Sequence, residues 1–297
     1  MAVLNPTKWS DEELKKNRDL SEGRFILERR GEGPTAFYAA IDEVAPKVEE
    51  AMVATDNLRQ LNGDVLAENQ TLWQTLRYFC APPVSEEDLW TLVGHKFKNM
   101  RSDIAPTTAE ALAAVLDNRR FPWVELDRAP TDIERANAIA ATTTLLAHET
   151  LKTTRRGISS KAQEDDVSDA LVAAGLKLDP SRSVIETLDQ LERGSFSRER
   201  KVSGAKCDIP IRLRDGRLLA LECKVSNGPK NGWKRLSREV GGKSQTWTDV
   251  FGKQVLTAAL IAGVFDFSCV QKTQNNQDVY IFWQHDLQSL VKFVTEQ

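Results

Sequence analysis

The chain has 297 residues, a formal net charge of −3 and an ordinary hydrophobic content of 41%, so it is long enough for one large domain or two modest ones. Its first residues lack the apolar core of a signal peptide, and no stretch of roughly eighteen apolar residues follows. We therefore expect a soluble, cytoplasmic protein without a membrane partner. The four cysteines show neither CxxC nor Cys/His ligand spacing, which argues against a disulfide framework and a structural zinc site.

Charge is distributed unevenly between the two halves of the chain. Residues 1–150 contain 17 Lys and Arg against 25 Asp and Glu, whereas residues 151–297 contain 23 against 18. The second half is therefore mildly basic. This is weak support for a polyanionic partner such as a nucleic acid.

The first half, residues 1–150, is predicted to be mainly helical, because apolar residues recur at intervals of three and four. A long helix is expected from Thr131 to about Lys152. Capping-box patterns predict three helix starts, at Ser10 with Glu13, Thr107 with Glu110, and Thr131 with Glu134.

The second half, residues 151–297, mixes helix and strand patterns. A helix is predicted from about Ser160 to Ala174, closed by Gly175. Two strands (205–214 and 217–225) flank Asp215-Gly216, a strong hairpin signal. A helix from about Ser244 to Ala262, strands over Phe265–Gln271 and Val279–Trp283, and a terminal helix to Phe293 are expected to follow. This order predicts an α/β fold.

The hairpin contains an Asp208…Glu222-x-Lys224 pattern, whose spacing alone is common. Its register is more informative. A two-residue loop would mix apolar and charged side chains on both faces, whereas a three-residue loop over 214–216 makes Leu213 face Arg217. Ile211 then meets Leu219, Ile209 meets Leu221, and Cys207 meets Cys223 on one continuous apolar face.

In this register the other face carries Asp208 directly opposite Glu222, with Lys224 one step along. Two opposed carboxylates repel each other unless a cation lies between them, and oxygen ligands suit Mg²⁺. A water molecule oriented by Lys224, or with its pKa lowered by it, would then attack a phosphate. The alternative is a salt-bridged surface of an ordinary hairpin.

The segment resembles the PD-(D/E)xK nuclease core, although Cys207 stands where that family often has proline. The resemblance implies that Asp208 and Glu222 bind the metal, with the backbone carbonyl of Cys223 as a further ligand, and that Lys224 positions the attacking water. The family often adds an acid from the preceding helix. Glu164 is placed to be that outer-sphere ligand, or else it is an ordinary first-turn acid.

Basic residues cluster around the hairpin. The segment after Lys224 is rich in glycine, asparagine and cations, and it is predicted either to contact phosphates and bases or to be a solvated loop. A second basic cluster precedes the first strand. The expected DNA contacts are Lys230, Asn231, Lys234, Arg235, Arg238 and Lys243 after the hairpin, and Arg200 and Lys201 before it.

Residues 150–297 also resemble the XamI-type family of type II restriction endonucleases through stretches such as ECKVSNGPKNGWKRL and FGKQVLTAALIAGVFD, and the first half does so only loosely. This resemblance implies a restriction-endonuclease-like core, cleavage of double-stranded DNA at a specific sequence, a homodimer and a prokaryotic cytoplasm. The helical first half would then supply dimer or DNA contacts. Two alternatives remain: a repair or junction nuclease with the same core, and a non-catalytic DNA-binding module.

Overall fold

The computed structural model describes residues 4–296, without the side chains of residues 155–160. The chain divides into two compact units. One comprises Met1–Gly31 and Arg155–Gln297, and the other comprises Glu32–Thr154. The first 31 residues thus group with the second half of the chain, whereas the sequence predicts a division after residue 150.

Within residues 4–296 the structure has eleven α-helices. None of the described helices combines the length and apolarity that a membrane crossing requires. The helices are α1 (Asp11–Ala54), α2 (Gly63–Glu68), α3 (Leu72–Leu76), α4 (Glu86–Val93), α5 (Ala105–Ala114), α6 (Pro122–Glu125), α7 (Asp132–Ala173), α8 (Pro229–Trp233), α9 (Gly241–Phe251), α10 (Phe267–Asn276) and α11 (Leu287–Thr295).

The unit Glu32–Thr154 is helical, as expected for the first half, and has a core of its own. Aromatic side chains dominate the centre of this core. The rings of Phe79 and Phe121 stack at 5.2 Å, and Trp123 meets Phe121 edge to face at 5.6 Å. Aromatic pairs of this kind contribute about 0.5–1.5 kcal/mol beyond the area that they bury.

Two of the three predicted capping boxes are confirmed. The N–H of Ser10 donates to Glu13 at 2.8 Å and that of Glu13 to the Ser10 hydroxyl at 3.3 Å, and Thr131 and Glu134 repeat the pattern. The third was wrong. Helix α5 begins at Ala105, with Pro106 in its first turn, where proline is favoured because the missing N–H is not needed there.

Helix α7 runs without interruption over the two helices predicted at 131–152 and 160–174. The predicted break between these two helices was therefore wrong. An isolated glycine costs only about 1 kcal/mol in a helix interior, which neighbouring turns and tertiary packing offset. The predicted end is confirmed, because Gly175 follows with φ +85°, the left-handed conformation that favours glycine.

The described strands are β1 (Lys177–Asp179), β2 (Ser195–Ser197), β3 (Arg200–Val202), β4 (Ala205–Cys207), β5 (Ile209–Arg212), β6 (Leu218–Asn227), β7 (Val255–Val264) and β8 (Val279–Trp283). Six of them form one mixed sheet in the order β1-β2-β5-β6-β7-β8, and β3 and β4 form a separate pair. Strands β6, β7 and β8 are parallel, whereas β5 is antiparallel to both of its neighbours.

Both faces of the sheet are covered. On one face Leu219 and Leu221 of β6 pack with Val167 and Leu171 of α7 and with α11. On the other face Leu218 and other side chains of β6, β7 and β8 pack against the segment between β6 and β7 and against α10. This three-layer arrangement is a mixed α/β fold consistent with the restriction-endonuclease-like core expected from the sequence.

The predicted strand Val279–Trp283 and the terminal helix are confirmed as β8 and α11, but two other predictions were wrong. The helix predicted over 244–262 ends at Phe251, and residues 255–264 form β7. This stretch is buried on both faces, and a short apolar run does not reveal its period. The strand predicted at 265–271 is helix α10, capped by the Asp266 carboxylate, which accepts hydrogen bonds from Ser268 and Cys269.

Candidate active site

The hairpin between β5 and β6 closes as the sequence predicted. The N–H of Leu213 donates to the Arg217 carbonyl at 2.9 Å, and the N–H of Gly216 donates to the Leu213 carbonyl at 3.1 Å. Gly216 has φ +98°. Ile209 pairs with Leu221 and Ile211 with Leu219, so the predicted register is confirmed along β5.

The register does not continue to Cys207. Strand β4 ends at Cys207 and β5 begins at Ile209, and the Cys207 side chain packs with Leu218 and Ala220 on the face opposite Cys223. The predicted pairing of Cys207 with Cys223 was therefore wrong. The reason is a bend at Asp208, where the carboxylate rather than a backbone oxygen accepts the N–H of Cys223 at 2.8 Å.

Glu222 and Lys224 leave β6 on the face that the segment between β6 and β7 covers. Glu222 is completely buried and Lys224 is 9% exposed, so neither lies on an exposed, salt-bridged surface of the hairpin. Buried charges require partners. The partners here are other charged side chains of the same site.

One ammonium joins the two acids. Lys224 Nζ lies 2.6 Å from Asp208 Oδ2 and 2.8 Å from Glu222 Oε2. A second lysine, Lys243 of α9, approaches the same Glu222 oxygen at 2.7 Å. The other oxygen, Glu222 Oε1, is buried and has no hydrogen-bond partner among the described residues.

Burial and the neighbouring charges set the protonation of this cluster. Burial raises the pKa of Glu222, and Lys224 opposes this shift without cancelling it. Burial alone would lower the pKa of Lys224, but Glu222 and Asp208 outweigh it and raise this pKa above its ordinary value. Lys224 is therefore a charged hydrogen-bond donor and not a base.

Glu164 of α7 belongs to the same neighbourhood. Burial raises the pKa of its carboxyl group, and the negative charge of Asp208 raises it further. Its carboxylate lies 4.0 Å from the Arg198 guanidinium. The residue before it, Gln163, is buried and donates to the Leu260 carbonyl at 3.3 Å, which fixes this turn of α7 against β7. The structure thus brings the predicted third acid near Asp208.

The chemistry of these groups fits a magnesium site. Among residues 4–296, no three His, Cys, Asp or Glu side chains are close enough together to form a metal site by themselves. Mg²⁺ keeps several waters and is usually held by only one or two carboxylates. Asp208 and Glu222 supply two, and Glu222 Oε1 is a buried oxygen to which no described residue donates a hydrogen bond.

Six of the eight residues expected to contact DNA fall into two groups. Lys201, Lys230, Lys234 and Arg238 are exposed. Asn231 donates to Asn227 at 3.1 Å and Arg235 to the Val225 carbonyl at 2.8 Å, so both are partly engaged within the protein.

Arg200 requires a correction, because its side chain is only 1% exposed. Its guanidinium lies 2.9 Å from Asp179 and bonds to Ser183, so it holds the fold together instead of facing DNA. The sequence placed it in a basic cluster but carried no signal of its burial.

Lys243 was expected to lie in a DNA-contacting loop, and its place beside Glu222 was missed. The predicted helix began three residues too late, at Ser244, whereas α9 begins at Gly241. One signal was available. A segment that connects two parallel strands must cross one face of the sheet, here the face that carries Glu222.

The mixed sheet covered by helices on both faces, with two acids and a lysine on one hairpin, defines a restriction-endonuclease-like α/β core. The model of the XamI restriction endonuclease family matches residues 56–283, which extends the earlier resemblance well into the helical unit. The chain belongs to this family.

A curated relative supports the same assignment. The type II restriction enzyme XamI of Xanthomonas campestris pv. amaranthicola is 30% identical to the chain over 268 residues, which cover 83% of this chain and 93% of the relative. No solved structure is a significant match to the chain.

Proposed function

We propose that this protein is a type II restriction endonuclease that hydrolyses phosphodiester bonds at a specific sequence in double-stranded DNA and depends on Mg²⁺. The supporting observation is the buried cluster in which Lys224 spans Asp208 and Glu222, while Glu222 Oε1 has no hydrogen-bond partner in the described part of the chain. A buried carboxylate oxygen without a donor is costly, and a metal ion would remove this cost. Membership of the XamI family supports the choice of DNA as substrate.

Three residues would hold the cation in this proposal: Asp208 and Glu222 through their carboxylates, and Cys223 through its backbone carbonyl. Glu164 would act through a water molecule. When bound, Mg²⁺ supplies charge stabilisation for the phosphate and lowers the pKa of a water molecule. The bend at Asp208 supports this role, because it aims the carboxylate at β6 through the 2.8 Å bond from Cys223.

Lys224 would act on the water and the phosphate. Because its pKa is raised, it keeps its proton and donates hydrogen bonds. A charged donor of this kind orients the attacking water and stabilises the negative charge that develops on the phosphate oxygens. It does not remove a proton from the water.

DNA would be held by the exposed cations Lys230, Lys234 and Arg238 after β6, with Lys201 on β3. Asn231 and Arg235 are the side chains whose geometry suits base edges. We further propose that the enzyme acts as a homodimer in the cytoplasm, and that the helical region assigned to residues 1–150 contributes dimer or DNA contacts.

The deciding experiment is digestion of a fully sequenced phage DNA by the purified protein, with Mg²⁺ and with EDTA, followed by mapping of the fragment ends. Discrete fragments that require Mg²⁺ and share one end sequence are expected. Random degradation would instead indicate a nuclease without sequence specificity, and selective cutting of branched DNA would indicate a repair or junction enzyme. DNA binding with no cutting would indicate a non-catalytic module.

A matched pair of variants ties the activity to the proposed site. Glu222→Gln keeps the shape of the side chain but removes its charge, and it should abolish cleavage. Asp249→Asn makes the same kind of change at an exposed position of α9, where the carboxylate accepts a bond from Gln245. This control should cleave like the wild type. Equal cleavage by both variants would refute the site.

A further inference from the structure

We infer that Lys243 is a positioning residue of the active site, which holds one oxygen of Glu222 so that the other faces the divalent cation. The inference rests on the proposed function, because it assigns a role within the same site. The sequence pattern alone had placed Lys243 among the DNA contacts. Its position in the structure points to a different role.

The first observation is that the two carboxylate oxygens of Glu222 have different surroundings. Lys224 and Lys243 both contact Oε2, at 2.8 and 2.7 Å, and Oε1 is buried without a partner among the described residues. A carboxylate that forms ion pairs with two ammonium groups through one oxygen cannot rotate freely about its terminal C–C bond. Its second oxygen is therefore presented in a fixed direction.

The second observation is that the two lysines are not equivalent. Lys224 also contacts Asp208 at 2.6 Å and is thus shared between both acids, whereas Glu222 is the only carboxylate within ion-pair distance of Lys243 among the described residues. Lys224 would share both acids with a bound cation and would have to release them in part. Lys243 can keep its contact with Oε2 while Lys224 turns to the water or the phosphate.

The third observation is that packing contacts fix the position of α9, so that the Lys243 side chain is directed towards Glu222. Trp247, one helical turn later on the same side, is completely buried, and its indole N–H donates to the Val202 carbonyl at 3.0 Å. At the start of the helix, a Cβ on Gly241 would lie 2.3 Å from the Gln277 side chain, so the backbone packs closely there. The helix is therefore fixed at both points that flank Lys243.

Exposure also separates Lys243 from the cations expected to meet DNA. Its side chain is 25% exposed and reaches inward, whereas Lys230 and Lys234 are exposed. A phosphate contact and a positioning role predict different measurements for the variant Lys243→Met. Loss of a phosphate contact weakens DNA binding. It also reduces the slope of the logarithm of the binding constant against the logarithm of the salt concentration by about one. Loss of a positioning residue changes cation binding and the chemical step.

The test measures Ca²⁺ binding to the DNA-free protein by calorimetry, together with DNA affinity in Ca²⁺ at several salt concentrations. For Lys243→Met we expect at least a threefold change in Ca²⁺ affinity, towards tighter binding because a positive charge beside Glu222 is lost. DNA affinity and its salt slope should stay unchanged. In Mg²⁺ the single-turnover cleavage rate should fall by about 10- to 100-fold, and Lys243→Arg should recover part of it.

The control is Lys234→Met, which removes a charge from the same basic segment, where Lys234 is exposed. It should weaken DNA binding and leave Ca²⁺ affinity unchanged. If Lys243→Met does not fold, Lys243→Gln provides the same comparison. Unchanged Ca²⁺ affinity in the folded neutral variant would overturn the inference, whatever its DNA affinity.

The two proposals fail in distinguishable ways. If the wild type binds Ca²⁺ but does not cut DNA, the proposed function fails, and the Ca²⁺ comparison still tests Lys243. If the wild type cuts DNA and Lys243→Met binds Ca²⁺ as the wild type does, only the role of Lys243 fails. A wild type that binds no divalent cation would overturn both.

Discussion

Asp208 and Lys224 form a 2.6 Å ion pair across the hairpin, from the residue that precedes β5 to a residue near the end of β6. The hairpin therefore assembles the site directly. Asp208 reaches Lys224 only because the chain bends between β4 and β5, and the same carboxylate accepts the N–H of Cys223. The Asp208 side chain thus makes the last hydrogen bond between the two strands of the hairpin and also supplies a negative charge to the site.

The variant Lys224→Ala tests this pairing. Removing the ammonium takes away a charged donor to the reacting phosphate, and we expect the single-turnover cleavage rate in Mg²⁺ to fall by about 10²- to 10³-fold or more. DNA binding in Ca²⁺ should be retained, because Lys224 is buried and the exposed cations supply most of the proposed DNA contacts. Lys253→Ala is the control, since Lys253 is exposed beyond the end of α9. A cleavage rate within a fewfold of the wild type would contradict the assigned role.

The stability of Lys224→Ala should depend on divalent cations. Without Lys224, Asp208 and Glu222 are close carboxylates that have lost their shared partner, and burial makes such a loss costly. We expect the melting temperature of the variant in EDTA to fall below that of the wild type, and Ca²⁺ to narrow the difference. If Ca²⁺ stabilises both proteins equally, the two acids do not share a cation.

Gly216 tests the loop that sets the register. At φ +98° a side chain is strained by about 1–2 kcal/mol, and a Cβ there would also lie 3.0 Å from the Arg193 guanidinium. Gly216→Ala should therefore lower the melting temperature by a few degrees. The control Gly23→Ala lies inside α1 with open space around the new Cβ and should be neutral or stabilising by about 0.5–1 kcal/mol. Equal effects of the two changes would contradict the turn geometry.

The four cysteines are predicted to be unreactive in the folded protein. All are buried, and burial raises the pKa of Cys80 to about 12 and that of Cys269 to about 11. Burial also raises the pKa values of Cys207 and Cys223 well above the ordinary value. Because the thiolate is the reactive form, an aromatic disulfide reagent at pH 8 should label none of them before unfolding and all four in guanidinium chloride. Rapid labelling of a native thiol would show that one of these sites opens.

The register of the hairpin was predictable because its signals are local. The Asp215-Gly216 turn joins two adjacent segments in which apolar residues alternate. Only one strand register then places all these apolar side chains on the same face, and the observed pairing of Ile209 with Leu221 belongs to that register. Glu222 and Lys224 followed from that register. The sequence could not reveal that the Cys207 side chain lies on the face opposite Cys223. This placement depends on the bend at Asp208, where the side-chain carboxylate accepts the N–H of Cys223 in place of a backbone carbonyl.

Other features depend on contacts between distant segments. The stretch that forms β7 is apolar on all sides because both of its faces are covered, so its sequence period fits a helix as well as a strand. Arg200 is a cation in a basic cluster, yet Asp179 and Ser183 enclose it. Lys243 acquires its partner only when α9 crosses the sheet above Glu222. In each case the tertiary structure decides between roles that the residue type leaves open.

The exposed cations after β6 provide the last test, because phosphate contacts and base contacts respond differently to mutation. Lys230 is exposed, so Lys230→Ala should weaken binding to all DNA sequences alike and reduce the salt slope by about one.

Asn231 already donates to Asn227, which holds its amide in one orientation, as base reading requires. Asn231→Ala should therefore relax sequence preference by about 1–3 kcal/mol at one position of the site while leaving the salt slope unchanged. Competition binding in Ca²⁺ with single-base variants of the mapped site separates the two effects. If Asn231→Ala instead weakens binding uniformly, the side chain contacts the backbone of the DNA, and Arg235, which keeps donors beyond its bond to Val225, becomes the residue to test for base reading.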